Sequence, residues 1–308
     1  MRIGSLCSGA GGLDLAVEHV FNGRVVWQCE NEHYANRILA ARWPDSRNLG
    51  DLTRVDWSAV EPVDVICAGW PCQPFSAAGR MRGFDDDRAV WPHVARAIRV
   101  LRPAHVVLEN VPRVLTAGEF ERVANSLAAD GYNFAWRCFR ASDVGAPHRR
   151  NRLFVVACRF GKKFSVQLTG SWLRANGATE RDAILPSPCA SDGTGGPSDP
   201  VLRKAKNHQL HVVDLGLRPD FWDNYAVAIK KWERVLGRPA PHPTEPNKYD
   251  GTRVALTFVE WMMGWPAGWV TAIDMNRLAC LRLMGNGVVP QQAAAVIPHL
   301  LNCLNRLD

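Results

Sequence analysis

Residues 2–21 read RIGSLCSGAGGLDLAVEHVF. A short apolar run leads into a glycine-rich loop at 8–12, and apolar residues at helical spacing follow that loop. Glycines at these positions permit a tight turn and let a ligand approach the backbone N–H groups at the start of a helix. The stretch therefore predicts a strand, a ligand-binding turn and a helix, which together open an α/β domain.

The alternation of short apolar runs with helix-like segments continues to about residue 158. It predicts strands at 2–7, 24–29, 63–68, 105–109, 133–139 and 153–158, and helices at 13–21, 33–42, 88–101 and 119–129. Short strands that alternate with helices predict βαβ units and a largely parallel sheet. Ligands gather at the carboxyl ends of the strands in such sheets, so the polar residues at those ends are the first candidates for a site.

The pattern changes between about 159 and 255. The stretch at 185–200 reads LPSPCASDGTGGPSDP and is rich in turn residues, and no βα alternation remains. One helix is predicted at 220–236, with an apolar stripe that favours a buried core face over an aromatic surface for bases. The stripe consists of Trp222, Tyr225, Ile229, Trp232 and Leu236. We interpret this region as a separate small domain, and residues 276–307 as a helical tail that packs back onto the first domain.

Composition and charge narrow the class of protein. The chain has 308 residues, 47% of them hydrophobic, with a net charge of +7 that suits a polyanionic partner such as nucleic acid. No apolar run approaches the ~18–20 residues of a membrane span, and the start does not resemble a signal peptide, so a cytoplasmic protein is expected. The nine cysteines form no C-x-x-C pair. They predict mostly buried thiols and neither a disulfide framework nor a metal site.

One cysteine has a different setting. Residues 64–76 read DVICAGWPCQPFS, which places Cys72 beyond a predicted strand and between two prolines, whereas Cys67 lies within the apolar run. A stiffened polar loop favours an exposed, activated thiolate at Cys72. The following residues, GRMRGFDDDR at 79–88, are basic and flanked by glycine. They predict a mobile lid that contacts phosphates, with Arg80 among its cations.

Five other polar residues lie at or near the ends of strands in the predicted sheet. Glu30 could accept hydrogen bonds from ribose hydroxyls, and Asp51 could contact an adenine edge or simply cap a turn. Glu109 ends an apolar strand, where burial raises a carboxyl pKa; it is either a proton donor or a buried acid paired with an arginine. Arg150 and Arg152 alternate to the same face of an extended segment, which favours an anion or base contact over a solvated edge.

Taken in this order, the segments resemble the cytosine-C5 DNA methyltransferase family. The resemblance rests on the glycine loop, the strand end at Glu30, Asp51, Pro71-Cys72-Gln73, Glu109-Asn110-Val111, the arginine segment at 145–152 and MGNGVVP at 284–290. The segment VEWMMGWP at 259–266 is similar to the one that precedes this tail in phage and actinobacterial members. Roughly the first 158 residues and the last 50 are covered, and the middle falls where the family has its variable target-recognition domain.

The resemblance implies a Rossmann-like class I methyltransferase fold with a mostly parallel sheet. Residues 1–158, completed by 271–308, would bind S-adenosyl-L-methionine, and 159–270 would form the smaller target-recognition domain. It also implies methyl transfer to C5 of cytosine within a short DNA sequence. The thiolate of Cys72 would add to C6 of a flipped-out base, Glu109 would hold N3 and the exocyclic amine, and Arg152 would hold O2, supported by Arg150.

The remaining site residues follow from the same resemblance. The implied cofactor contacts are Ser8, Gly9, Ala10, Gly11, Gly12, Leu13, Glu30, Asn31, Asp51, Leu52, Pro71, Asn286 and Val288. The implied substrate contacts are Gln73, Ser76, Arg80 and Asn110. Family members often have an aromatic residue at the positions of Cys7 and Asn31, an acid at Ser5 and glutamine at His148. Double-stranded DNA is the implied partner of a monomer in a bacterial cytoplasm, encoded by the bacterium or a phage, with a restriction endonuclease as a possible counterpart.

Three alternatives remain open at this point. An NAD-dependent oxidoreductase would explain the glycine loop and Glu30, but not Pro-Cys-Gln or Glu-Asn-Val, and Asp14 stands where the dinucleotide fingerprint has glycine. An RNA cytosine methyltransferase of the same family would share the whole catalytic set. A DNA-binding relative without catalytic activity would not need Cys72, Glu109 and Arg152 together.

Overall fold

The structure is a computed structural model that describes residues 1–71, 90–116, 118–162, 219–248 and 250–306. Its strands are β1 Arg2–Leu6, β2 Arg24–Cys29, β3 Arg47–Asn48, β4 Val65–Ala68, β5 His105–Asn110, β6 Tyr132–Arg140, β7 Asn151–Arg159, β8 Thr244–Pro246 and β9 Thr252–Val254. Its helices are α1 Gly12–Phe21, α2 His33–Arg42, α3 Trp91–Leu101, α4 Glu119–Ala129, α5 Ala226–Leu236, α6 Leu256–Met262, α7 Arg277–Asn286 and α8 Pro290–Asn305.

Seven strands form the main sheet, in the order β3-β2-β1-β4-β5-β7-β6. The five strands β1 to β5 run parallel, and β7 is antiparallel to both of its neighbours. The predicted, mostly parallel α/β sheet is therefore confirmed. The antiparallel strand β7 lies directly beside β5, which brings residue 153 opposite Asn110 and so places the arginine segment at the carboxyl end of β5.

Apolar side chains alternate between the two faces of this sheet, and each face is covered by helices. On one face Ile3 packs with side chains of α1, α2 and α8. On the other face Leu6 packs with side chains of α3 and α4. Strands buried on both faces explain the near-continuous apolar runs from which they are predicted.

The C-terminal tail returns to the first domain, as the sequence predicts. The side chain of Gln292 is fully buried and its Nε2 donates to the carbonyl oxygens of Phe139, at 2.6 Å, and Arg150, at 2.9 Å. The indole Nε1 of Trp265 donates to the carbonyl oxygen of Val288 at 2.9 Å. These bonds attach the tail to the ends of β6 and β7, at the same edge of the sheet as the glycine loop.

The helix predicted from residue 220 begins later in the structure. Residues Pro219–Tyr225 form 3-10 turns in which Asp223 has φ 44° and ψ −127°, and the α-helix starts only at Ala226. A non-helical residue at this position interrupts the hydrogen-bond ladder, so the prediction of one continuous helix is wrong. The interpretation of its stripe as a core face is confirmed, since Ile229 and Trp232 are buried.

The predicted division into two domains stays a prediction. Residues 163–218 lie outside the described residues. The described part of 159–270 contributes to the core on the α1 and α8 side of the sheet, for example through Trp232, Trp261 and Trp265. The indole of Trp232 also donates to the carbonyl oxygen of Trp261 at 3.0 Å, which joins α5 to α6. Across the described ranges, every helix is too short or too polar to span a membrane.

His105 makes the fold sensitive to acid. Its imidazole is 2% exposed at the start of β5, against the ring of Phe21, and burial lowers its pKa from 6.5 to about 4. The unfolded chain therefore takes up this proton first, and the free energy of unfolding falls as the pH drops from about 6.5 to 4, by up to about 3 kcal/mol for this group.

We expect the free energy of unfolding of His105→Leu to fall less than that of the parent over this pH range, as measured by urea unfolding at pH 7, 5.5 and 4.5. Parallel pH curves for variant and parent would contradict the assignment.

Candidate active site

A cavity of about 260 Å³ opens between the carboxyl ends of the parallel strands and the tail. Most of the predicted cofactor residues line it, together with Glu109: Ser8, Gly9, Ala10, Gly12, Leu13, Glu30, Asn286 and Val288. Five predicted cofactor residues, all described, are not part of the lining: Gly11, Asn31, Asp51, Leu52 and Pro71. Cys7, Asp14, Glu32 and Arg282 also line the cavity, and their roles were not assigned from the sequence.

The glycine loop takes a conformation that suits close contact with a ligand. Gly9 has φ 54° and a Cβ at this position would meet no atom within 4 Å, so the loop faces open space there. The N–H of Gly9 donates to Oε2 of Glu30 at 2.8 Å. The other oxygen of Glu30 accepts from the N–H groups of Asn31 and Glu32, at 2.9 and 2.8 Å. Glu30 thus joins the loop to the start of α2, and its contact with a ribose stays a prediction.

Asp51 caps a turn, so one of its two predicted roles is confirmed. Its Oδ1 accepts from the backbone N–H and the hydroxyl of Thr53, both at 2.9 Å, at the start of the 3-10 turn Leu52–Arg54. The backbone hydrogen bond from Thr53, and then the hydroxyl, lower the pKa of the Asp51 carboxyl. The contact with an adenine edge is not tested by this geometry and stays a prediction.

Cys7 takes a strained backbone position at the wall of the cavity. It has φ 51°, a conformation that costs about 1 kcal/mol or more for a residue with a side chain. Burial, with a further contribution from Glu30, raises the pKa of its thiol to about 12. A thiol that stays protonated at neutral pH is not a nucleophile. The structure therefore separates Cys7 from the chemistry predicted for Cys72.

Glu109 and Arg152 form an ion pair at the end of β5. Oε1 of Glu109 and Nε of Arg152 are 2.9 Å apart, which is a close ion pair. The side chains are 9% and 17% exposed. Burial raises the pKa of Glu109, and the charges of Arg152 and Arg150 oppose that shift. The predicted arginine partner is confirmed, and the second oxygen would lie 3.5 Å from a Cβ at Gly69, beside the loop that leads to Cys72.

Arg150 contacts the tail and not the strand end. It precedes β7 and has φ 30°, so the expectation of one extended segment carrying both arginines is wrong for this residue. Its Nη2 donates to the carbonyl oxygens of Gly285, at 2.9 Å, and Gly287. Burial, then the neighbouring Arg152, lowers the pKa of its guanidinium to about 10. The structure places Arg150 as a link between the arginine segment and the end of α7, and its contact with a base stays a prediction.

Asn110 holds the backbone immediately before the predicted nucleophile. Its Nδ2 donates to the carbonyl oxygen of Trp70 at 3.0 Å, and its Oδ1 accepts from the N–H of Val111 at 2.7 Å. The indole of Trp70 donates in turn to Oε1 of Glu119 at 3.1 Å. These buried bonds fix the chain up to Pro71. The sequence contained no spacing that paired Trp70 with Glu119, and the predicted contact of Asn110 with a substrate is not tested here.

His148 lies among the described residues, whereas four other predicted site residues do not. His148 is within 2.9 Å of the carbonyl oxygen of Met262 through Nε2, which agrees with a local hydrogen-bonding role. Cys72, Gln73, Ser76 and Arg80 lie outside the described residues, so their predicted roles are neither supported nor contradicted. Within the described ranges there is no group of three or more His, Cys, Asp or Glu side chains that could hold a metal ion.

The lining of the cavity suits a ligand that carries positive charge. It includes four carboxylates, those of Asp14, Glu30, Glu32 and Glu109. Asp14 is 1% exposed and its Oδ2 has no hydrogen-bond partner among the described residues. Burial raises the pKa of this carboxyl to about 7. A cation in the cavity would favour the charged form of such a carboxyl, and the backbone N–H groups at the start of α1 supply the donors that the rest of a polar ligand requires.

Comparison with known proteins identifies the family. The family described as C-5 cytosine-specific DNA methylase matches residues 1–186. Among curated relatives, the Type II methyltransferase M.HgiCII of Herpetosiphon aurantiacus is 32% identical over 162 residues, which are 50% of this chain and 36% of that protein. The Type II methyltransferase M.HhaI of Haemophilus parahaemolyticus is 31% identical over 163 residues, covering 52% of this chain and 49% of that protein. These matches span about half or less of the length of the relatives.

A solved structure extends the likeness to the whole chain. The Entamoeba histolytica methyltransferase EhMeth aligns with a TM-score of 0.60 and 18% identity over 99% of this chain and 98% of its own. At this identity the likeness shows the fold alone. It shows that the two chains share an overall fold.

The ion pair at the end of β5 leads to a pH-dependent prediction. Arg152→Met leaves Glu109 buried without its partner, and we expect a loss of about 3 kcal/mol in the free energy of unfolding at pH 8. The loss should be smaller at pH 6, because the pKa of Glu109 is already raised by burial and rises further without the arginine, so the carboxyl takes up a proton.

Urea unfolding at both pH values measures this effect. The matched control is Glu109→Gln combined with Arg152→Met, which has no buried charge at position 109 and should lose the same stability at pH 6 and pH 8. An equal loss for Arg152→Met itself at the two pH values would contradict the assignment.

Proposed function

The chain belongs to the C-5 cytosine-specific DNA methylase family, and from that premise we propose that it methylates C5 of cytosine within a short DNA sequence, using S-adenosyl-L-methionine. The observation that supports the proposal is the Glu109–Arg152 pair: Glu109 lines the cavity, and its second oxygen lies near Gly69, three residues before Cys72 in the sequence. An NAD-dependent oxidoreductase would leave the Pro-Cys-Gln and Glu-Asn-Val motifs unexplained.

The proposed cofactor fits the residues that line the cavity. The glycine loop and the start of α1 offer backbone N–H groups to the ligand. Glu30 lies at the end of β2, where its carboxylate would accept hydrogen bonds from ribose hydroxyls. Carboxylates in the lining complement a sulfonium cation. When bound, this cofactor supplies an electrophilic methyl group, which is the only chemistry that the chain's own residues cannot provide.

The protein's part of the mechanism concerns the base. The sulfur of Cys72 would form a bond to C6 of the cytosine, which moves electron density onto C5 and N3. Glu109, with its raised pKa, would hold a proton at N3 and accept from the exocyclic amine, so that charge on the ring is neutralised as the C6–S bond forms. Arg152 would donate to O2. After methyl transfer, loss of the C5 proton to a base releases Cys72 and restores the aromatic ring.

The base is out of reach in a stacked duplex, so we propose that it is flipped into this site. The basic segment 79–88 would act as a lid over it, with Arg80 on a phosphate, and Gln73 and Ser76 would contact the substrate. The net charge of +7 would add affinity that is independent of sequence and weakened by salt. We assign residues 159–270 to target recognition and residues 1–158 with 271–308 to catalysis.

The same premise extends to partners and location. Every group that the mechanism uses comes from one chain, so a monomer is sufficient. Because the relatives described above are bacterial proteins called Type II methyltransferases, we propose that this chain acts on double-stranded DNA in a bacterial cytoplasm, encoded by the bacterium or a phage. A cognate restriction endonuclease is the partner that such a role would imply.

The nucleophile is tested by methyl transfer. Labelled S-adenosylmethionine and unmethylated genomic DNA are incubated with the parent, Cys72→Ala or Cys303→Ala, and the product nucleosides are identified by mass spectrometry. We expect 5-methylcytosine from the parent and from Cys303→Ala, and none from Cys72→Ala, because only Cys72 can add to C6. Product from Cys72→Ala would refute the covalent role. Methylation of tRNA but not DNA would overturn the DNA assignment.

The role of Glu109 is tested by a second variant in the same assay. Glu109→Gln keeps the shape of the side chain and loses its acid, so we expect kcat to fall by about two orders of magnitude or more, with DNA affinity nearly unchanged. Gel-shift titration of the same DNA serves as the control for binding. Near-normal turnover would show that N3 is neutralised by another group.

A further inference from the structure

One basic side chain of the cavity has no part in the site so far. Arg282 lies on α7 and lines the cavity, and it is the only basic residue among the described residues of that lining. Its Nη2 is 2.5 Å from Oε1 of Glu32. The side chain is 55% exposed, and its other N–H groups donate to no described residue. Arg282 is therefore anchored through one nitrogen while the rest of its donors remain available.

Glu32 is held firmly enough to serve as that anchor. It is the N-cap of α2, and its Oε2 accepts from the N–H of Ala35 at 2.6 Å. Its own N–H donates to Glu30 at 2.8 Å, next to the glycine loop. One carboxylate oxygen thus caps the helix, and the other oxygen contacts Arg282 in the lining of the cavity. The ion pair connects the start of α2 with α7.

The charges of the proposed cofactor match this arrangement. S-adenosylmethionine carries a sulfonium, an α-ammonium and an α-carboxylate, and the carboxylate is its only anionic group. The described acids of the lining can complement the two cations but repel the carboxylate. A guanidinium offers a planar fork of donors that matches a carboxylate, and it can do so while another of its nitrogens stays bound to an acid.

We propose that Arg282 binds the α-carboxylate of the methionine part of S-adenosylmethionine, and that Glu32 is a positioning residue that holds the guanidinium at the cavity. This assignment rests on the proposed function for the identity of the ligand. It makes Arg282 a specificity-determining residue: ligands of the same shape without the carboxylate gain nothing from it. It also explains why α7 has a cation at a cavity that is otherwise lined by acids.

A comparison of two ligands tests the proposal by isothermal titration calorimetry. The ligands are S-adenosylmethionine and its decarboxylated analogue, which differ only in the carboxylate. We expect Arg282→Ala to weaken binding of S-adenosylmethionine about tenfold or more and to change binding of the analogue by less than about twofold. Equal weakening of both ligands, or of neither, would overturn the assignment.

Two further variants make the result specific. Arg282→Lys keeps the charge but not the planar fork of donors. Its affinity for S-adenosylmethionine should lie between those of the parent and Arg282→Ala. Arg37→Ala removes an exposed cation from α2 and should bind both ligands as the parent does, with thermal unfolding confirming that each variant is folded. Any loss with Arg37→Ala that matches Arg282→Ala would mean that net charge, and not a contact, is responsible.

The positioning role of Glu32 has its own readout. Glu32→Gln retains an oxygen to cap α2 and loses the charge that holds Arg282. It should therefore weaken binding of S-adenosylmethionine and leave binding of the decarboxylated analogue unchanged. In the Arg282→Ala background it should add little, because the two residues act as a unit. Additive losses would overturn the positioning role. A parent protein that binds neither S-adenosylmethionine nor S-adenosylhomocysteine would instead refute the cofactor of the proposed function, which is a distinct result.

Discussion

The site depends on a close contact between the first turn of α1 and the tail of the chain. A Cβ on Gly12 would lie 2.3 Å from the carbonyl oxygen of Val288, so only glycine permits the approach. Trp265 donates to that same carbonyl, and Arg150 donates to two carbonyl oxygens of the segment that precedes it. These groups come from three distant parts of the sequence. The tail residues 286–288 line the cavity together with the glycine loop. The shape of the cavity therefore depends on how the tail packs against α1.

Desolvated charge is the second property that the site requires. Burial raises the pKa of Glu109, raises that of Asp14 to about 7 and lowers that of Arg150 to about 10. Each shift reflects a charged state that is less stable here than in water. Asp14, whose pKa lies at about 7, is suited to holding or exchanging a proton near neutral pH. The charge of Arg152 opposes the rise in the pKa of Glu109. Nη2 of Arg150 donates to two tail carbonyl oxygens, whereas its buried Nε has no hydrogen-bond partner among the described residues.

Local patterns were sufficient for most of the secondary structure. The predicted helices at 33–42 and 119–129 coincide with α2 and α4, and the strand at 24–29 coincides with β2, because each is a complete apolar period bounded by polar residues. The kink at Asp223 was not predictable, since nothing in the aromatic stripe marks a residue with positive φ. The strands β8 and β9 were missed as well. They have three residues each, too few to show an alternation.

The sequence by itself determined the α/β class, the position of the glycine loop and the placement of Glu109 at the end of a buried strand, because these follow from short motifs and strand ends. Tertiary structure alone decided the strand order, the antiparallel insertion of β7 and the turn of Arg150 toward the tail. It also brought Glu32 and Arg282 together across 250 positions of chain. Periodicity and motif spacing report what neighbouring residues do. The pairing of remote side chains depends on how elements pack, and no local pattern encodes that.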